Sequence, residues 1–151
     1  MNKNINVRKA TITDVPAMFK LIQELALFEK APDEVSNTIE RMKEDGFSLN
    51  KIYDAFVLEA EGEVVGTAIT YFRYSTWKGK SLYLEDLIIT EKHRRLGLGS
   101  LLFNQCIDFG KSQNCSQMNW QVLDWNTPAV DFYKKYNASL DGEWINGTIL
   151  L

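Results

Sequence analysis

The stretch Tyr83-Leu84-Glu85-Asp86-Leu87-Ile88-Ile89, continuing as Thr90-Glu91-Lys92-His93 and Arg94-Arg95-Leu96-Gly97-Leu98-Gly99-Ser100, decides the fold. Its first part is an apolar, β-branched run that predicts a buried strand, stopped by a cluster of polar residues. After the loop the period changes. Leu98, Leu101, Leu102, Cys106 and Phe109 recur at helical spacing, so a helix opens directly out of the glycine-containing loop. Unpaired amides at a helix start carry partial positive charge and favour anions. Glycine lets a backbone approach a phosphate closely, and Arg94 and Arg95 add charge there. The stretch therefore reads as an anion cradle suited to a diphosphate. The plainer alternative is a glycine turn that starts an ordinary helix, with arginines for solubility.

Two familiar nucleotide loops do not fit. A P-loop needs Lys and then Ser or Thr after its second glycine, and here Gly99 is followed by Ser100-Leu101. The dinucleotide fingerprint needs Gly or Ala three residues after the second glycine, and that position is Leu102. What is left is Arg94-x-x-Gly97-x-Gly99 behind a strand.

At 151 residues the chain has the size of one domain, and 45% apolar with 25% charged residues is the balance of a soluble globular protein. A net charge of −3 argues against general nucleic-acid binding and suits a small cationic partner. No apolar run reaches the ~20 residues of a membrane span, and the N-terminus lacks a signal-peptide apolar core, so a cytoplasmic location is expected. Cys106 and Cys115 have no metal-like spacing and are expected to stay reduced. His93 is the sole histidine, in the basic loop, which excludes a nucleophile–histidine system elsewhere and makes a metal site improbable.

Working outward, Ile5 to Arg8 is a first strand. Thr13 or Asp14 caps a helix with Pro16 in its first turn, and its apolar face runs through Val15, Met18, Phe19, Ile22 and Leu25 to about Phe28. A weaker helix is expected from Glu34 to Glu44, closed by Gly46. Phe56 to Ala60, a Glu61-Gly62-Glu63 turn and Val64 to Phe72 predict an antiparallel hairpin. A fifth strand is expected at Gln117 to Leu123. Asn126 or Thr127 then caps a helix with Pro128 at its start. Two short strands, near Ser139 to Leu140 and Trp144 to Leu150, are expected to finish one α/β domain spanning residues 1–151.

The glycine loop and this element order resemble the GNAT superfamily of N-acetyltransferases, which bind acetyl-coenzyme A. Arg8-Lys9-Ala10-Thr11, Glu24-Leu25-Ala26-Leu27-Phe28-Glu29, Tyr71 to Lys80, Leu82 to Asp86, Trp125-Asn126 and Phe132-Tyr133-Lys134 resemble its diamine acetyltransferase branch. Ser75-Thr76-Trp77-Lys78-Gly79 and Val122 to Asn126 are nearer to the thialysine-acetylating type than to the polyamine type, which has an acidic residue at the place of Ser75. The resemblance implies a mixed, mostly antiparallel sheet with helices on both faces and parallel strands four and five splayed apart. It also implies acetyl-coenzyme A or coenzyme A as co-substrate, no metal, no nucleic-acid or membrane partner, and a homodimer.

For the site, the resemblance assigns the cofactor to Leu87, Ile88 and Ile89, to the loop Arg94, Arg95, Leu96, Gly97, Leu98, Gly99 and Ser100, and to Asn126, which also reads as a helix cap. It implies Tyr133 as general acid, although on pattern alone Phe132 and Tyr136 are equal claimants to that apolar stripe. A primary amine, with a pKa near ~10.4, must lose a proton before attack, and Glu85 is the expected base, through a water. A bulge would be needed for Glu85 and its neighbour Asp86 to reach one site, since side chains alternate along a regular strand. Phe28, Glu29, Asp86, Asn119, Trp120 and Gln121 are the expected amine-lining residues. The Leu87 amide is the expected oxyanion donor. The expected function is acetyl transfer to a small diamine-like or thialysine-like amine by direct attack in a ternary complex. The alternatives are acetylation of a protein lysine, a protein N-terminus or an aminoglycoside, or a non-catalytic coenzyme A-binding module.

Overall fold

Period-two alternation builds the sheet, and its partners follow chain order. The computed structural model describes residues 4–151. Its elements are β1 (Ile5–Lys9), α1 (Val15–Phe28), α2 (Ile39–Phe47), β2 (Asp54–Ala60), β3 (Glu63–Ser75), β4 (Gly79–Ile89), α3 (Leu98–Ser112), β5 (Gln117–Trp120) and α4 (Thr127–Lys134). One five-stranded sheet runs β1-β2-β3-β4-β5. The first three pairings are antiparallel and β4–β5 is parallel, as a strand–helix–strand connection through α3 requires. Backbone contacts divide the chain into two compact units, one ending at Gln121 and one beginning at Val122.

In the first unit, helices cover both faces of the sheet. On one face, Val15 and Met18 of α1 and Met42 of α2 pack on Ala55, Val57 and Ile69. On the other, Leu102, Phe103 and Cys106 of α3 are buried, and Phe109 meets Phe56 and Phe72 at ring distances of 5.3 and 6.0 Å. Gly66 permits this approach, because a Cβ there would collide with the Ile89 side chain and press on Leu102. Arg8 fastens β1 to both neighbours. Its guanidinium donates to both oxygens of Asp14, at 2.7 and 2.9 Å, and to Glu59. That pairing holds the Asp14 carboxyl below its ordinary range.

Three expectations about elements of the first unit are corrected. The second helix begins at Ile39, capped by Thr38, whose hydroxyl accepts from the Arg41 amide at 3.1 Å; residues 32–34 form only a single 3-10 turn. Gly46 does not end that helix. It lies buried in the last turn, because the Tyr53 ring fills the space a Cβ would need. The fifth strand stops at Trp120 rather than Leu123.

The second unit holds α4, where Asn126 is the cap: its side chain accepts from the Ala129 amide. Asn137 then takes a left-handed φ of 56°. The two strands expected near Ser139 to Leu140 and Trp144 to Leu150 are not formed; residues 138–151 have no regular secondary structure. An alternating apolar pattern becomes a strand only with a ladder neighbour to satisfy its backbone. Trp144 and Ile149, which would supply the apolar side, are 81% and 86% exposed.

Candidate active site

The site is built where β4 outruns β5. Pairing between them ends at Leu84 opposite Trp120, while β4 continues to Ile89 against β3. The Thr90 amide donates to the Val65 carbonyl at 2.8 Å, toward β3. Alternation along the strand therefore aims the Leu87 and Ile89 amides at the side β5 has left, and that of Ile88 at β3. These are the two amides a bound thioester arm and a developing oxyanion would need.

The register on the β3 side is also broken at this point. Ile69 faces Asp86 and Thr70 faces Leu84, so Glu85 is an extra residue in β4. This is the bulge that the shared use of Glu85 and Asp86 demands. With the regular alternation interrupted, both carboxylates line one cavity of about 780 Å³, together with Phe19, Ile22, Tyr53 and Ile69. Burial first, and the charges of Glu85 and Glu29 after it, push the half-buried Asp86 carboxyl up to about 7. Burial likewise raises the Glu29 carboxyl at the end of α1. Glu85 and Asp86 thus line the cavity, and Glu29, outside its lining, acts on Asp86 through its charge; Asp45, Asp54 and Lys51 line it as well. Tyr71 and Tyr83 stand near Glu85 with ring centres 5.1 Å apart, and its charge helps raise both phenols. Strand pattern alone marked these two tyrosines only as sheet residues.

The loop after β4 has the geometry of an anion cradle. Arg95 and Gly97 both take left-handed conformations, φ 64° and 75°, on either side of Leu96. Arg95 has a Cβ, so its conformation costs roughly 1 kcal/mol, strain of the kind that accumulates at binding sites. Helix α3 starts immediately, and its N-cap residue Gly97 offers no side-chain cap, unlike Thr38 of α2 and Asn126 of α4. The amides of Leu98, Gly99 and Ser100 are thus left for a ligand. The Arg94 side chain turns elsewhere. Its Nε donates to the Ile89 carbonyl at 2.8 Å, one Nη meets Glu24 at 3.3 Å, and the guanidinium lies over the Phe28 ring.

The remaining expected residues are spread more widely. Asn119 pairs with Tyr83, and so shares the carboxylate face, whereas Trp120 packs edge-on against Phe103 of α3. Of the expected amine-lining residues, these two, Gln121, Phe28 and Glu29 do not line the cavity. Tyr133 is the buried residue of α4, with the Phe132 ring 5.3 Å away. Trp77 stands 90% exposed in the β3–β4 turn and does not line the cavity.

Fold and loop geometry suit an acyltransferase of the N-acetyltransferase type, and comparison with known proteins shows the family. Residues 17–138 match the acetyltransferase (GNAT) family model, and the chain belongs to that family. Within it the chain falls in the diamine acetyltransferase branch. It is 38% identical over 142 residues to the thialysine N-epsilon-acetyltransferase of Bos taurus, an alignment covering 89% of this chain and 84% of that one. It is 30% identical over 139 residues to the spermidine/spermine N(1)-acetyltransferase-like protein 1 of Homo sapiens, covering 87% of this chain and 20% of that longer protein. Among solved structures, the aminoglycoside N-acetyltransferase AAC(6')-Iy in complex with CoA superposes with a TM-score of 0.79 over 99% of this chain and 97% of that one, at 15% identity.

Proposed function

We propose that the chain, working as one N-acetyltransferase domain, transfers acetyl from acetyl-coenzyme A to a primary amine of a small diamine-like or thialysine-like molecule. The observation that carries this reading is the bulge at Glu85, which turns two adjacent carboxylates into one cavity beside a strand edge with aimed amides. The residues present fit the co-substrate: an uncapped helix start for a diphosphate, two left-handed residues that open the loop, and the Leu87 and Ile89 amides along the vacated edge. When bound, acetyl-coenzyme A supplies the activated acyl group as a thioester.

The chain's own groups do the rest. Glu85 and Asp86, with the charge of Glu29 nearby, draw in an ammonium beside the apolar side chains of Phe19, Ile22 and Ile69. Glu85 takes the amine's surplus proton through a water, beside Asp86, which burial and then the charges of Glu85 and Glu29 push up to about 7. The Leu87 amide donates to the oxygen that gains charge. Tyr133 holds the proton needed by the leaving group, and Asn126 joins the cofactor contacts while capping α4. The reading includes a homodimer in the cytoplasm, as the branch implies; the two free cysteines accord with a reducing setting.

Thialysine, lysine, putrescine, spermidine, an aminoglycoside and a lysine peptide, each assayed with acetyl-coenzyme A for released thiol, test it. Fastest turnover on thialysine or a small diamine is expected. Turnover only on the peptide or the aminoglycoside would overturn the substrate class.

A further inference from the structure

Glu24 lies in α1, outside the amine cavity, yet its carboxylate gathers three donors from the five residues that follow β4. The Thr90 hydroxyl reaches its two oxygens at 2.9 and 3.3 Å, the Glu91 amide donates at 2.9 Å, and the Arg94 guanidinium meets it at 3.3 Å. The segment is otherwise held by the Thr90 amide on the Val65 carbonyl, by one turn of 3-10 helix and by Arg94 Nε on the Ile89 carbonyl. Directly after it come the two left-handed residues and the open start of α3. A backbone that stores strain at Arg95 keeps its shape only if its anchor is fixed from outside. Three donors converging on one carboxylate, one of them charged, make such an anchor.

We propose that Glu24 is a positioning residue for the acyl-donor loop: by clasping Thr90, Glu91 and Arg94 it sets the conformation in which residues 95–100 receive the diphosphate. The Arg94 guanidinium also lies over the ring of Phe28, one helical turn further along α1, so the clasp joins the donor loop to the end of the helix that Glu29 caps. Affinity for the donor therefore depends on a side chain that belongs to neither the cradle nor the amine cavity. The inference rests on the acetyltransferase reading above, since it assigns the loop to coenzyme A.

Calorimetric titration of coenzyme A into the parent chain, E24A and E59A tests it, with E24Q as the conservative variant. Glu59 is the control, because it takes part in a comparable charged cluster and its hydrogen bonds go to Arg8 rather than to the loop. E24A should weaken coenzyme A binding about tenfold, the loss of hydrogen bonds to a charged acceptor. The KM for the donor should rise in step while kcat at saturating donor stays within about twofold. E24Q, which keeps an acceptor for the Glu91 amide and the Thr90 hydroxyl, should recover part of the loss, and E59A should bind like the parent. If E24A does not fold, a rise of about threefold in E24Q alone is the expected result. Binding within twofold of the parent in both Glu24 variants, or an equal loss in E59A, would overturn the clasp while leaving the acetyltransferase reading intact. A parent chain that binds no coenzyme A would overturn both.

Discussion

Replacing Asp86 by Asn exchanges stability for function, and the structure gives the sign and the size. Burial, then the charges of Glu85 and Glu29, raise this carboxyl from 3.8 to about 7. A raised value means that the folded chain keeps a proton which the unfolded chain has already released across that interval. Stability is therefore greatest below the unfolded value and falls as the pH rises toward the folded one. At 1.36 kcal/mol per tenfold, the shift sets a ceiling of about 4 kcal/mol at pH 8. Asp86 is only half-buried and opens onto a cavity, so screening by water reduces this to roughly 1–2 kcal/mol. Asn keeps the shape without the charge. Urea unfolding should show D86N more stable than the parent by about 1–2 kcal/mol at pH 8, and by well under half of that at pH 5. The melting temperature at pH 8 should rise by about 2–8 °C. The same variant should bind the amine less well above pH 7, where the parent carries the extra negative charge. An equal stability change at both pH values, or a loss at pH 8, would refute the claim that Asp86 is pressed between its neighbours.

Tyr133→Phe should lower turnover by about a hundredfold while coenzyme A binding in calorimetry stays near the parent value; unchanged turnover would remove the phenol from the chemistry. Gly97→Ala meets no steric obstacle, since nothing lies within 4 Å of the added Cβ, but its φ of 75° alone should cost about 1 kcal/mol in urea unfolding and weaken coenzyme A binding. Cys106 is buried in the core with its thiol pushed up to about 12, so a thiol reagent should label Cys115 in the native protein and reach Cys106 only on unfolding; early labelling of Cys106 would contradict the α3 packing.

Much of this architecture was legible because period and punctuation agree. The Glu61-Gly62-Glu63 turn, the apolar face of α1 and the change of period at Leu98 each leave a signal several residues long. The bulge left none. Glu85 and Asp86 read as adjacent residues of a regular strand, and only the pairing of the consecutive Ile69 and Thr70 with Asp86 and Leu84, two residues apart, exposes the extra one. The Glu24 clasp was equally hidden, because its partners are more than 60 residues away. Nor does position in the sequence show that the Arg94 side chain reaches Ile89 and Glu24. The C-terminal strands failed for the opposite reason. An alternating pattern was present around Trp144, but no neighbouring strand was there to make it a ladder.

Titrating acetyl-coenzyme A into the purified parent chain bears most directly on the central claim, that the strand edge and loop between Leu87 and Ser100 grip this donor. The account predicts one binding event per chain, with a dissociation constant between about 1 μM and 1 mM, the range usual for enzyme substrates. No heat at millimolar donor, with the chain demonstrably folded, would contradict it.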